Sequence, residues 1–312
     1  MVANVQKIAS AEAAVRYVTG MELNQAMSDD YFRTENIGHA GKWNDPDGIL
    51  KRFGINDGDI IDPKHLLNLL KGKHPDTGKD LFKEVEGKTH MPGTEIENSV
   101  PKEVSAIYAI ADQALRDAID QAIIEANNDS LNFVRNEATF TRLGKGGMYH
   151  EHASFVAASY NHGSSRGAEN DLGGDPHRHI HNLTLNITEY NGKLMKLENK
   201  YMLEHTKAIG AQFRASLARK FQALGFDIER NEDNGTFKIP GIPTELIKHW
   251  SSRREGMLAA AAEQGLSTQN QANMRDLQIE TKRAKIVIDI DELIGRWSHE
   301  AKERGFTQES IE

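Results

Sequence analysis

Six of the thirteen histidines in this 312-residue chain fall between His150 and His181, and the densest run is Asp175-Pro176-His177-Arg178-His179-Ile180-His181. Side chains alternate along a β-strand, so residues two apart share a face. On a strand over about 179–188, His179 and His181 point the same way as Leu183, Leu185 and Ile187, while Asn182, Thr184, Asn186 and Thr188 take the other face. Two imidazoles at the end of an apolar stripe face the core rather than water. His162 ends a neighbouring strand pattern, in register with Val156, Ala158 and Tyr160, and pairing of the two strands could bring three imidazoles onto one divalent ion. Neutral imidazole is a good ligand, and by softness an all-nitrogen set favours zinc, manganese, nickel or copper over magnesium. His177 shares the face and is a rival third ligand. The plainer reading, a set of hydrogen-bonded core histidines, is the usual one for a lone His but the weaker one for His-x-His on an amphipathic strand.

The chain has no cysteine. That excludes a disulfide scaffold, a zinc ribbon and a thiolate nucleophile, so a metal site must be histidine-based and a covalent catalyst must attack through oxygen.

Other segments accompany the histidines in a fixed order: Ala14-Val15-Arg16-Tyr17, Asp29-Asp30-Tyr31-Phe32, Gly41-Lys42-Trp43, Gly72-x-x-Pro75-x-Thr77-Gly78, Gly93-Thr94-Glu95-Ile96-x-x-Ser99-x-Pro101-Lys102, Thr141-Arg142-x-Gly144, His162-x-x-Ser165-Arg166 and Asp175-Pro176-x-x-His179-x-His181. Over roughly residues 10–260 this collinear series resembles the MobF-type conjugative relaxases, single-strand DNA nickases of the HUH superfamily. The resemblance implies a site- and strand-specific enzyme that cuts single-stranded DNA at an origin of transfer through a 5′-phosphotyrosyl intermediate and later rejoins it. It implies Tyr17 as the nucleophile of the first cleavage and Tyr31 as a second one. Glu95, where the family usually has Asp, is implied as base or as orienter of the metal site, and His162, His179 and His181 as the ligands of a divalent ion, Mg²⁺ or Mn²⁺. Where many relatives pair their tyrosines, this chain has Val18 and Phe32. The partners implied are single-stranded DNA at the nick site, relaxosome accessory proteins and a type IV secretion coupling protein, with a cytoplasmic location and passage to the recipient cell alongside the DNA.

Elementary chemistry agrees with such a site. A phenol titrates near 10, so about one tyrosine in a thousand is phenolate at pH 7, a deficit of roughly 4 kcal/mol. A carboxylate can take the proton and a bound cation can polarise a phosphate oxygen. Because one diester replaces another, resealing needs no nucleotide hydrolysis. A metal-dependent small-molecule or phosphoester hydrolase built on the same His-x-His is the alternative, and it would leave the tyrosines without a role.

The elements that must position these groups read as α+β with a central antiparallel sheet flanked by helices. Helices are expected over Ser10–Val18, from Pro63 to Leu70, in one long run from Glu103 to Asn127, from Asn199 to Leu224, and over about 243–264 and 290–304. Strands are expected at Thr94–Glu97, Ala153–Asn161 and His179–Thr188, with hairpins at Tyr190–Lys193 and across Glu232–Gly235. The whole of 1–312 reads as a single relaxase domain, with residues 261–312 as a C-terminal helical segment. Gly72–Lys79 departs from a Walker A loop in spacing and in Asp80, so no helicase domain is expected. No apolar run is long enough for membrane insertion.

The formal net charge of −8 argues at first against a nucleic-acid partner, but charge is unevenly placed. Residues 24–62 hold four basic and eight acidic side chains, whereas residues 131–166 hold four basic and two acidic. Phosphate contacts come from local basic surface, and single strands also stack on aromatics. Lys102, Arg142 and Arg166 are the expected DNA contacts, and Trp43, Tyr149 and Trp250 are candidate stacking platforms.

Overall fold

The computed structural model describes residues 3–20, 40–83, 90–165, 174–231, 235–268, 270, 273–274, 276–277 and 288–311. Tyr31 and Arg166 lie outside these residues. The centre is a five-stranded sheet of β1 (Asn4–Lys7), β2 (Lys42–Asn44), β3 (Gly93–Ser99), β6 (Ala157–Ser164) and β7 (Pro176–Leu185), in the order β1-β3-β7-β6-β2. Every neighbouring pair in it is antiparallel. The strand with the His-x-His motif is therefore the middle one, buried along almost its whole length. Its register sets His179 opposite His162 and Ser99, and His181 opposite Tyr160 and Glu97.

Alternation along β7 separates two cores. Leu183 and Leu185 pack with Val156 and with Ala158 and Tyr160 of β6 against α1 (Ala11–Thr19) and α2 (Pro63–Leu70) on the front face. On the back, Ile180 packs against α3 (Lys102–Ile110) and α4 (Gln113–Glu137), while Ile96 and Ala157 meet the later turns of α4. Asn182 and Thr184 of that back face are fully buried rather than exposed, Asn182 beneath α4.

The long helix expected over 103–127 is two helices. Ala111 is extended, and the Asp112 carboxylate accepts from Leu115 N at 2.8 Å, capping a new helix that runs on to Glu137. The run from Asn199 is likewise two helices, α5 (Lys200–Glu204) and α6 (Thr206–Ala223). Asn199 caps neither, because its Oδ1 accepts from Thr94 Oγ1 at 2.9 Å. The strands at 153–161 and 179–188 are shifted to 157–164 and 176–185. A hairpin of β4 (Phe140–Leu143) and β5 (Tyr149–His152) adds two strands that were not expected, and every residue of β5 is exposed. Short hairpins β8 (Thr188–Tyr190) with β9 (Lys193–Met195) and β10 (Glu229–Arg230) with β11 (Phe237–Lys238) follow. The chain continues through α7 (Thr244–His249), α8 (Ser252–Glu263) and α9 (Ile290–Glu303). No helix among the described residues is long and apolar enough to cross a membrane.

Candidate active site

The front face of β7 and the end of β6 bring three imidazoles together. His162, His179 and His181 are all buried, and each offers one ring nitrogen within 4.8 Å of the others. Their ring centres lie 4.8–5.3 Å apart. His177 lies outside this cluster. Its ring stacks on that of His179 at 4.8 Å instead.

Each member of the triad is held by its outer nitrogen. His181 Nδ1–H donates to Glu95 Oε1 at 2.6 Å, His179 Nδ1–H to the His177 carbonyl at 2.8 Å, and His162 Nε2–H to the Val18 carbonyl at 3.1 Å. A neutral imidazole has one protonated nitrogen and one lone pair. These bonds therefore fix the tautomers so that His162 Nδ1, His179 Nε2 and His181 Nε2 carry the lone pairs. His181 Nε2 is buried with no hydrogen-bond partner among the described residues. Burial holds His179 well below the ordinary imidazole range, reinforced by its histidine neighbours. Burial, with help from Lys102, pushes His177 down to about 3. His177 and His179 are thus neutral at physiological pH, the state that ligates. Three convergent lone pairs, one orphaned in a buried site, fit a divalent cation.

Tyr17 projects from the last turn of α1 beside this cluster. Ser10 caps the helix by accepting from Ala13 N at 3.2 Å, and Gly20 ends it in the left-handed region at φ 67°. Ala11, Val15, Val18 and Thr19 are buried, which leaves Tyr17 at the edge, 39% exposed. Its ring lies 5.1 Å from His181 and 6.4 Å from His162, edge-on to both. The Val18 carbonyl belongs to the helix end that lacks intrahelical partners. Its bond to His162 ties the tyrosine's helix to a triad residue.

Glu95 sits on β3, diagonal to His181 across the ladder. Its second oxygen accepts from Gln6 Nε2 of β1 at 2.7 Å. Sequence reasoning missed Gln6 and the Val18 carbonyl: four-residue β1 shows no alternation, and a backbone acceptor carries no residue-type signal. Lys102 is beside the site, where its Nζ donates to the Pro176 carbonyl at 2.8 Å and burial pushes its amine down to about 8. Arg142 lies on the β4–β5 hairpin, 60% exposed and 3.1 Å from Glu198. Trp43 and Trp250 are buried in the core and present no stacking face, whereas Tyr149 is 61% exposed.

Comparison with known proteins places this geometry. A family model described as TrwC relaxase matches residues 11–304. Two curated proteins named multifunctional conjugation protein TraI are similar. One, from Escherichia coli, is 26% identical over 262 residues, covering 79% of this chain and 14% of its own. The other, from Escherichia coli strain K12, is 26% identical over 323 residues, covering 97% of this chain and 16% of its own. The chain thus spans about one-sixth or less of the length of these relatives. Among solved structures, conjugative relaxase TrwC in complex with oriT DNA superposes with a TM-score of 0.78 at 23% identity, in both its metal-free and metal-bound forms. Each alignment covers 98% of this chain and 99% of the other.

Proposed function

Because this chain belongs to the TrwC relaxase family, we propose that it is a site- and strand-specific DNA nickase and strand transferase acting at an origin of transfer, with Tyr17 as its nucleophile. The observation that carries the assignment is a half-exposed tyrosine edge-on to a buried, tautomer-fixed histidine triad.

Tyr17 Oη attacks the scissile phosphorus, a phosphotyrosyl bond forms, the P–O3′ bond breaks, and the 3′ oxygen leaves and takes a proton. The phenolic proton passes to water at the open edge of the ring. Glu95 acts as an orienter: with one oxygen on His181 and the other on Gln6, it holds the imidazole in a single tautomer and plane. His162, His179 and His181 would hold a divalent ion, with Mn²⁺ and Mg²⁺ as our candidates, which would supply polarisation of a phosphate oxygen worth several kcal/mol. In the reverse step the free 3′ hydroxyl attacks the phosphotyrosine and restores the diester. Tyr31 is the second nucleophile in this reading.

In this reading Arg142 and Arg166 contact phosphates of the single-stranded DNA, while Lys102 braces β7 through the Pro176 carbonyl. Residues 1–312 form one relaxase domain, whose partners are relaxosome proteins and a secretion coupling protein in the bacterial cytoplasm. The named function of TraI and the oriT complexes of TrwC support this reading.

A pool of random single-stranded oligonucleotides, labelled at the 3′ end and incubated with Mn²⁺, tests it. A labelled, denaturant-resistant protein adduct is expected, because the 3′ fragment keeps the 5′ phosphate on tyrosine. Metal-dependent cleavage with no adduct would instead favour a hydrolase.

A further inference from the structure

The back of the metal strand carries a guanidinium and an amide where a buried sheet face is ordinarily apolar. Arg178 and Asn182 are 1% and 0% exposed, and α4 grips both. Arg178 Nη2 pairs with the Asp120 carboxylate, and its guanidinium carbon lies 4.2 Å from the ring centre of Tyr108, whose hydroxyl donates to Asp120 at 3.3 Å. Asn182 exchanges two amide hydrogen bonds of 2.9 Å with Asn127. It also donates to the Ile96 carbonyl at 3.0 Å and accepts from Ser159 Oγ at 2.7 Å.

The spacing matters. Asp120 and Asn127 are two turns apart on one side of α4, about 10.5 Å along its axis. Arg178 and Asn182 are about 13 Å apart along β7. Helix and strand are therefore pinned at two points of nearly matching separation. His179 and His181 stand between those points and face the other way.

A pair of apolar side chains would fill this space at lower cost. Arg178 Nε and Nη1 are buried with no hydrogen-bond partner among the described residues, and a half-satisfied buried charge is a poor source of stability. An ion pair and an amide pair supply directionality instead. Apolar contacts tolerate sliding, whereas these bonds fit one alignment, and a slip of one residue would carry both ligand histidines to the back face.

We propose that Arg178–Asp120 and Asn127–Asn182 form a two-point lock that sets the register of β7, making these four side chains positioning residues for the metal site. The proposal rests on the triad being a metal site, and the test separates the two. The double variant Arg178→Met/Asp120→Leu, Arg178→Lys and the wild type are compared for Mn²⁺ affinity by calorimetry, for the visible spectrum of bound Co²⁺, and for metal-free melting temperature. The double variant should melt within roughly 5 °C of wild type, as apolar replacement of a buried pair allows. It should bind Mn²⁺ about tenfold more weakly, at the scale seen for lost outer-sphere support, with an altered Co²⁺ spectrum, and Arg178→Lys should fall between. Wild-type affinity and spectrum in the double variant would overturn the lock, as would an affinity loss no larger than its unfolded fraction accounts for. If the double variant does not fold, Arg178→Lys decides by the same two criteria. Failure of the wild type to bind either ion would instead overturn the metal reading beneath it.

Discussion

Glu95 has its two oxygens committed to two different strands, to His181 on β7 and to Gln6 on β1. A carboxylate so placed fixes an imidazole's tautomer, and losing such support typically weakens metal binding 10- to 100-fold. Glu95→Ala should therefore weaken Mn²⁺ affinity by about that factor, with Glu95→Gln losing less because an acceptor oxygen remains; calorimetry measures both. Unchanged affinity with a slowed cleavage rate would make Glu95 a base rather than an orienter. At this scale the His-x-His pair was legible because strand periodicity alone assigns both rings to one face. His162 was legible as the end of an adjacent apolar stripe, but periodicity could not decide between it and His177. The stacking of His177 on His179 depends on how β7 meets its neighbours, and no local pattern encodes that.

Among the elements, β3 and β7 carry Glu95, His179 and His181, and Gly93 shows how closely the two strands fit. A Cβ added at Gly93 would lie 1.9 Å from the Thr184 carbonyl oxygen of β7, a backbone atom with no freedom to yield. Gly93→Ala should destabilise the fold by about 3 kcal/mol, in the range of overpacking with backbone displacement, and denaturant titration checks it. The amphipathic helices α1 and α2 were readable from their starts, since an N-cap at Ser10 and a proline at Pro63 act locally. The break at Ala111–Asp112 was hidden inside a continuous apolar pattern. The exposed β4–β5 hairpin was missed because a strand with no buried side leaves no alternation to read. The polar side of β7 was legible only as the face opposite the histidines. Its burial under α4 becomes visible only once Asn127 and Asp120 are brought opposite it.

For the whole molecule, the net charge of −8 averages over an uneven distribution, with four basic against eight acidic residues over 24–62 and four basic against two acidic over 131–166. Stability carries a pH signature of its own. Burial, and then the charge of Lys196, push His90 down to about 4 from the ordinary 6.5, with its ring stacked on Phe82 at 5.5 Å. Between those values the unfolded chain binds a proton that the folded chain does not, so this contribution is fully present above pH 6.5 and is lost as pH falls through 4. Screening at a partly open site reduces it to roughly 2 kcal/mol. His90→Phe should flatten the acid limb of a melting-temperature profile between pH 6.5 and 4, while an unchanged limb would place the loss elsewhere.

The covalent step is the centre of the account, and one measurement reaches it directly. The DNA adduct formed with Mn²⁺ can be digested with nuclease and trypsin and its peptides fragmented by mass spectrometry. Trypsin cuts after Arg16 and Arg33, so one peptide, 17–33, holds both Tyr17 and Tyr31. A phosphonucleotide on Tyr17 is expected in the first-round adduct, and no adduct in Tyr17→Phe. A modification on Tyr31 alone, or an undiminished adduct in Tyr17→Phe, would contradict the assignment.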